Sequence, residues 1–144
     1  MAVAEGDVKI RPLVVSDYPA LCSLWKADGY CSRSAQDTEA GLKSFLSRNG
    51  GYCFAAEASG DVVGFIMVGC DGRSARVYHL VVDSVWRRRG IAHCLTERVG
   101  EVLSTEGVSD VGVIVYREDS SAVFWESEGF KDRAQISIKS FEDF

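Results

Sequence analysis

The sequence predicts a three-layer α/β (α+β) sandwich around a mixed, mostly antiparallel sheet with one strand–helix–strand crossover, and three observations carry that prediction. Apolar runs at 52–58, 62–70 and 75–82 are separated only by short turns of Ser, Gly and Asp, the pattern of consecutive antiparallel strands. From Arg88 the period changes, and Ile91, Leu95, Val99, Val102 and Leu103 recur at the spacing of an amphipathic helix. A further apolar run from Val111 returns to the sheet, and a strand that follows a helix in this way requires a crossover.

Each element has its own signal. Residues 8–13 read as a short strand. Ser16, Asp17, Tyr18 and Pro19 open a helix with a capping hydroxyl, an early acid and a proline in the first turn. That helix carries Leu21, Leu24 and Trp25 on one face and runs to about Asp28. A second helix, from about Asp37 to Arg48, presents Leu42, Phe45 and Leu46 and closes at Gly50 and Gly51. Ser59-Gly60-Asp61 turns the first hairpin, and Asp71-Gly72 turns the next. After the long helix, which ends at Gly107, a strand is expected at 111–116, a helix at 120–128 stopped by Gly129, and a final strand at 130–139. No linker or repeat interrupts the order, so one domain is expected over 1–144, with a core of about 8–140.

Composition narrows the function classes. With 16 Lys+Arg against 21 Asp+Glu, the net charge of −5 repels nucleic acid at long range. A 47% hydrophobic content can bury a real core, which excludes a disordered chain. The longest apolar stretch, near 62–68, is too short to span a bilayer, and the N-terminus shows no apolar signal core, so no membrane partner and a cytoplasmic location are expected. Cys22, Cys31, Cys53, Cys70 and Cys94 form no CxxC pair and read as reduced, small hydrophobes. With only His79 and His93 for imidazole ligands, no metal site is expected.

One segment carries chemistry. Val82-Asp83-Ser84-Val85-Trp86-Arg87-Arg88-Arg89-Gly90-Ile91-Ala92 places three arginines where a strand ends and a helix begins, inside an acidic protein. A helix N-terminus has unpartnered N–H groups and partial positive charge, so it accepts a phosphate; Gly90 and Ala92 keep side-chain bulk away from the backbone there. Arginine adds forked donors suited to phosphate. Walker A and GxGxxG loops are absent from the sequence.

Arg87-Arg88-Arg89-Gly90-Ile91-Ala92 also resembles the acyl-CoA signature [Q/R]-x-x-G-x-[G/A] of the GNAT (Gcn5-related) N-acetyltransferases. The resemblance extends through Ile10-Arg11-Pro12, Gly60-Asp61-Val62-Val63-Gly64, Leu80-Val81-Val82-Asp83 and Phe124-Trp125-Glu126-Ser127-Glu128-Gly129-Phe130, and is strongest to small single-domain bacterial members of the YpeA-like type. It implies the GNAT fold and an acetyl-CoA-dependent N-acetyltransferase in which a primary amine attacks the thioester. The pantetheine arm would pair with the backbone of Leu80, Val81 and Val82, and the pyrophosphate would sit on the N–H groups of Arg88, Arg89, Gly90, Ile91, Ala92 and His93, with Arg87 opening the loop. The amine acceptor is a small molecule or a peptide, and a monomer or homodimer is expected.

The resemblance departs from its pattern at the catalytic groups. Where many members carry a tyrosine acid, this chain has Trp125, whose indole donates a hydrogen bond but does not transfer a proton. Tyr116 and Tyr78 are the substitutes, alongside water. The family's late asparagine falls where Glu118, Asp119 or Ser120 stands, and the acidic base of some histone-acetylating members aligns with Arg76. Glu57, His79 and Asp83 are the candidate bases. His79 reads equally as a packed imidazole, and Asp83 as the start of a turn. Trp25, Tyr30 and Cys31 are candidates for the acceptor wall or for ordinary packing. The rival function is a non-catalytic acyl-CoA-binding module.

Overall fold

The computed structural model describes residues 8–28, 34–115 and 121–141, and the chain divides into two compact units, Met1–Ile114 and Val115–Phe144. The first unit is built on five strands, β1 (Lys9–Pro12), β2 (Phe54–Ala58), β3 (Asp61–Cys70), β4 (Ala75–Val82) and β5 (Val111–Val113), which lie side by side in chain order. The first four pair antiparallel, and β5 joins β4 in parallel. The connections explain this. Ser59 and Gly60 both take positive φ, 51° and 86°, as a two-residue hairpin turn requires. The link from β4 to β5 instead holds a 15-residue helix, α3 (Ile91–Thr105), long enough to cross over the sheet.

Two helices, α1 (Tyr18–Ala27) and α2 (Glu39–Asn49), cover one face of the sheet, and α3 covers the other. Adjacent residues of β3 show the division, because successive strand residues point to opposite faces. Phe65 meets Trp25 of α1 edge to face at 5.4 Å. Gly64 lies beneath α3: a Cβ there would stand 3.4 Å from Ile91 Cγ2 and 3.1 Å from the Val81 carbonyl oxygen. Leu21, Leu24, Trp25 and Leu42 therefore pack with Phe65, Met67 and Val81 in one core layer. The stripe Ile91, Leu95, Val99 and Leu103 is buried in the other.

The start of α1 differs from the sequence reading. A short 3-10 turn, Val15–Asp17, precedes it, and Asp17 rather than Ser16 is the N-cap. The Asp17 carboxylate does not cap α1; it reaches back to the N-cap of the 3-10 turn, accepting from the Val14 N–H at 2.9 Å, and accepts from Arg11 at 2.8 and 2.9 Å. Thr38 caps α2 by accepting from the Gly41 N–H at 3.0 Å.

In the second unit α4 (Ser121–Ser127) buries Trp125, whose ring meets Phe124 and Phe130 edge to face, each at 5.0 Å. Gly129 takes φ 94°, and the Phe130 N–H then turns back to the Trp125 carbonyl at 2.9 Å, ending the helix as expected. The strand expected at 130–139 does not form. That stretch is irregular, with a turn at 134–135, and Ile136 and Ile138 are 54% and 65% exposed. Alternating sequence gives a strand its faces but not its partner, and no strand is found in this unit among the described residues. Nor is any described helix long and apolar enough to cross a membrane.

Candidate active site

The site begins with a gap beside β4. The Asp83 N–H donates to the Val63 carbonyl at 2.8 Å, so the backbone groups of Asp83 and Val81 turn toward β3. Strand alternation turns those of Leu80 and Val82 the opposite way. On that side β5 pairs only with Ala75, Arg76 and Val77. Among the described residues, no strand covers the Leu80 and Val82 edge; the Val82 carbonyl is taken by Arg87 Nε, and the N–H groups of Leu80 and Val82 are left for an extended ligand. Val81 is a correction to the sequence reading, since its backbone faces β3 and its side chain, 7% exposed, belongs to the core.

Beyond Val82 the chain makes a 3-10 turn, Ser84–Trp86, capped by the Asp83 carboxylate, which accepts from the Val85 N–H at 2.9 Å. Asp83 thus serves the turn. The loop then passes through two left-handed residues, Arg88 at φ 63° and Gly90 at φ 80°. Gly90 adopts this conformation freely, whereas Arg88 holds it at a cost that is typical of functional loops. The first α3 hydrogen bond runs from the Cys94 N–H to the Gly90 carbonyl at 3.0 Å, and no side chain caps this end. The N–H groups of Ile91, Ala92 and His93 therefore have no intrahelical acceptor and point out of the helix start.

The three arginines divide their roles. Arg87 Nε donates to the Val82 carbonyl at 3.2 Å, and its guanidinium lies 3.8 Å from Asp28, so it braces the loop against the strand end. Arg89 stacks over the Trp86 ring at 4.5 Å. Arg88 is exposed on the loop. Extended-edge donors, an uncapped helix N-terminus and three guanidinium groups follow one another along a single stretch of chain, and they fit a ligand that is extended at one end and carries phosphate at the other.

The other candidates lie elsewhere. Glu57 on β2 is paired with Arg11 at 2.8 Å, and β3 stands between it and β4, so it does not reach this edge. His79 is buried, stacked edge-on to Trp25 at 5.1 Å, with Nε2 2.9 Å from Asp37 Oδ2. Asp37 also accepts from the Ser34 N–H at 2.7 Å, and its carbonyl accepts from the Tyr18 hydroxyl at 3.2 Å. His79 thereby ties the segment ahead of α2 to the sheet, a link between residues 42 apart that no local pattern announces. Trp25 is 2% exposed and belongs to the core rather than to an open wall. Tyr30, Cys31, Tyr116, Glu118, Asp119 and Ser120 lie outside the described residues. Burial pushes the Cys53 thiol up to about 12, and burial followed by nearby Glu97 raises that of Cys94, so neither is an activated thiol.

A strand edge beside a crossover helix whose start no side chain caps is a feature of an α/β protein able to take an extended, phosphate-bearing ligand. Comparisons with known proteins give the family. An acetyltransferase (GNAT) domain model matches residues 31–139. An acetyltransferase of Yersinia enterocolitica is 32% identical over 133 residues, spanning 91% of this chain and 92% of that one. Among solved structures, a possible acetyltransferase from Clostridium difficile superposes with a TM-score of 0.74 at 19% identity, covering 96% of this chain and 99% of that one. The PaiA N-acetyltransferase of Thermoplasma acidophilum in complex with coenzyme A gives 0.73 at 16% identity, covering 85% and 87%. The chain belongs to the GNAT acetyltransferase family. It is an N-acetyltransferase that uses acetyl-CoA as co-substrate and takes an amine acceptor, and nothing in these comparisons favours a non-catalytic binding module.

Proposed function

We propose that acetyl-CoA is held mainly by backbone, with its pantetheine arm along the Leu80 and Val82 edge of β4. Its pyrophosphate is held by the loop from Arg87 to His93, including the N–H groups of Ile91, Ala92 and His93. The observation that carries this is the succession, among the described residues, of a strand edge with no neighbouring strand and an uncapped helix start within a dozen residues. Arg87 braces the loop, while Arg88 and Arg89 supply positive charge to the phosphates. A backbone N–H at the Val82 end polarises the thioester carbonyl and stabilises the oxyanion formed on attack.

The bound thioester supplies an electrophilic carbonyl carbon and a thiolate leaving group. No carboxylate or imidazole among the candidate bases is free at this edge, so the amine gives up its proton to water before attack, and positioning supplies much of the rate. Tyr116, just past β5 in sequence, is the first choice for returning a proton to the thiolate, and the half-exposed Tyr78 is the second; the Trp125 indole is too weak an acid for that role. The family match runs from residue 31 to 139 and spans both compact units, which supports one functional domain over 1–144. The absence of paired-cysteine patterns supports a cytoplasmic location.

Amide hydrogen exchange with and without acetyl-CoA tests the cofactor assignment. Slowing is expected at Leu80, Val82, Ile91, Ala92 and His93, with little change at Val81, whose N–H is already in the ladder. Equal slowing along all of β4, with none at the helix start, would refute it.

A further inference from the structure

The other end of β4 holds a second feature, on the face covered by α2. Between Met67/Val68 of β3 and His79/Val77 of β4 the register slips by one residue, and Tyr78 is the extra residue of the bulge. The slip leaves Tyr78 46% exposed, its ring set edge to face against Phe45 of α2 at 5.5 Å. Gly69 makes room for that ring, since a Cβ there would stand 3.0 Å from Tyr78 Cε2. Around it opens a pocket of about 290 Å³ lined by Phe45, Asn49, Asp71, Arg76 and Tyr78 among others. Bulges commonly re-aim a side chain next to a functional site.

The polar groups of this pocket are arranged for an anion. The Arg76 guanidinium lies over the Tyr78 ring at 4.8 Å, and that ring packs on Gly69, the cross-strand partner of Arg76. No carboxylate among the described residues forms an ion pair with it. Asn49 Oδ1 accepts from the Cys70 N–H at 2.9 Å, which fixes the amide and leaves its NH₂ group as a donor. Asp71 is the one negative group in the lining. One of its oxygens accepts from the Arg73 and Ser74 N–H groups at 2.8 and 2.9 Å, bonds that hold its carboxyl below the usual range. This fixed negative charge in the same lining opposes a dianionic phosphate more strongly than a single carboxylate.

We infer that this pocket binds the acceptor and that the acceptor is an amine bearing a carboxylate, which Arg76 and Asn49 hold while the amine faces the thioester. This rests on the placement of acetyl-CoA given above. Four residues separate Arg76 from Leu80, about 13 Å of strand, and the reach of the arginine side chain spans part of it, so the acceptor carries its amine some distance from its carboxylate. The reaction is unaltered: the amine nitrogen bonds to the acetyl carbon, the carbon–sulfur bond breaks, and the amine proton ends on the CoA thiol.

The test uses the full chain with matched amines that differ only in the carboxylate: glycine and methylamine, 4-aminobutyrate and butylamine, 6-aminohexanoate and hexylamine, lysine and cadaverine. The carboxylate member of at least one longer pair is expected to show about tenfold or greater kcat/KM, a preference that Arg76→Gln removes through acceptor KM and Arg76→Lys partly restores. Acetyl-CoA KM and the thermal protection it gives are expected to be unchanged in both variants. Equal or better use of the uncharged members throughout would overturn the inference, as would a preference that survives Arg76→Gln. Loss of acetyl-CoA protection in Arg76→Gln would also overturn it, by placing Arg76 with the cofactor. Failure of the carboxylate preference with cofactor protection intact would leave the thioester site standing.

Discussion

At its Val82 end β4 offers backbone: the Leu80 and Val82 edge, then the N–H groups at the start of α3. At its Ala75 end it offers side chains, with Arg76 parked on Tyr78 above a pocket between the strand and α2. The two ends teach different dependences. A backbone site is specified by conformation and tolerates many side chains, provided that glycine stands where φ is positive. A side-chain site is specified by residue identity, because exchanging one guanidinium changes what is recognised. A shared thioester donor suits the first kind of site, and a chain-specific acceptor suits the second.

The sharpest way to break this comparison is a pair of neighbouring prolines. Val81→Pro removes an N–H that faces β3 and is expected to cost about 3 kcal/mol or more of stability in urea unfolding. Val82→Pro removes an N–H on the open edge; it is expected to fold with a smaller loss yet to weaken acetyl-CoA binding at least tenfold. If the two variants lose stability equally and keep cofactor affinity, the open edge is not the binding edge.

Asp17 provides a control remote from both ends. Burial pushes its carboxyl up, but the hydrogen bonds from Arg11 and the Val14 N–H outweigh that and hold it below the ordinary 3.8. A lowered value means stability present above pH 4 and lost as pH falls through the folded value. Asp17→Asn is therefore expected to cost about 1–3 kcal/mol near pH 7 and progressively less below pH 4, with acetyl-CoA KM and acceptor preference both unmoved. A change in either KM would couple the β1 corner to the site.

Tyr78→Ala takes away the ring beneath Arg76. Acceptor KM is expected to rise about fivefold while acetyl-CoA KM holds, consistent with about 1 kcal/mol for a partly exposed cation over a ring. The smallest effect belongs to Arg88. Replacing it with glycine relieves a left-handed arginine, so Arg88→Gly is expected to raise stability by roughly 0.5–1 kcal/mol while weakening acetyl-CoA binding a few-fold. Thermal melts with and without cofactor would show both signs; lower stability without cofactor would mean that the loop strain is not real.

The Val82 end was legible in the sequence because its determinants are local. Strand, arginine run, Gly90 and helical period follow one another between Ala75 and Leu103, and β4 and α3 fall where their patterns place them. The alternation that removes Val81 from the edge was equally local and could have been read from strand period alone. The Ala75 end was not legible. The bulge at Tyr78 is set by register against β3, and the pocket needs Phe45 and Asn49 from α2, some thirty residues away. His79 and Asp37 are likewise joined only by the fold. Glu57 read as a base because its charge was visible and its partner, Arg11, was not. The unformed strand at 130–139 failed for a related reason, since alternation specifies faces and says nothing of a neighbour.

The central claim is that the turn at Gly90 presents backbone to the phosphates, and thermal unfolding of the parent and Gly90→Val with acetyl-CoA, coenzyme A and NAD tests it most directly. At about 100 times the dissociation constant, a ligand that binds only the folded state adds roughly 2.7 kcal/mol, several degrees for a chain of this size. The parent is expected to show that rise with acetyl-CoA and coenzyme A but not NAD, and Gly90→Val, with a β-branched residue at φ 80°, is expected to fold and show none. A full acetyl-CoA shift retained in Gly90→Val would contradict the account.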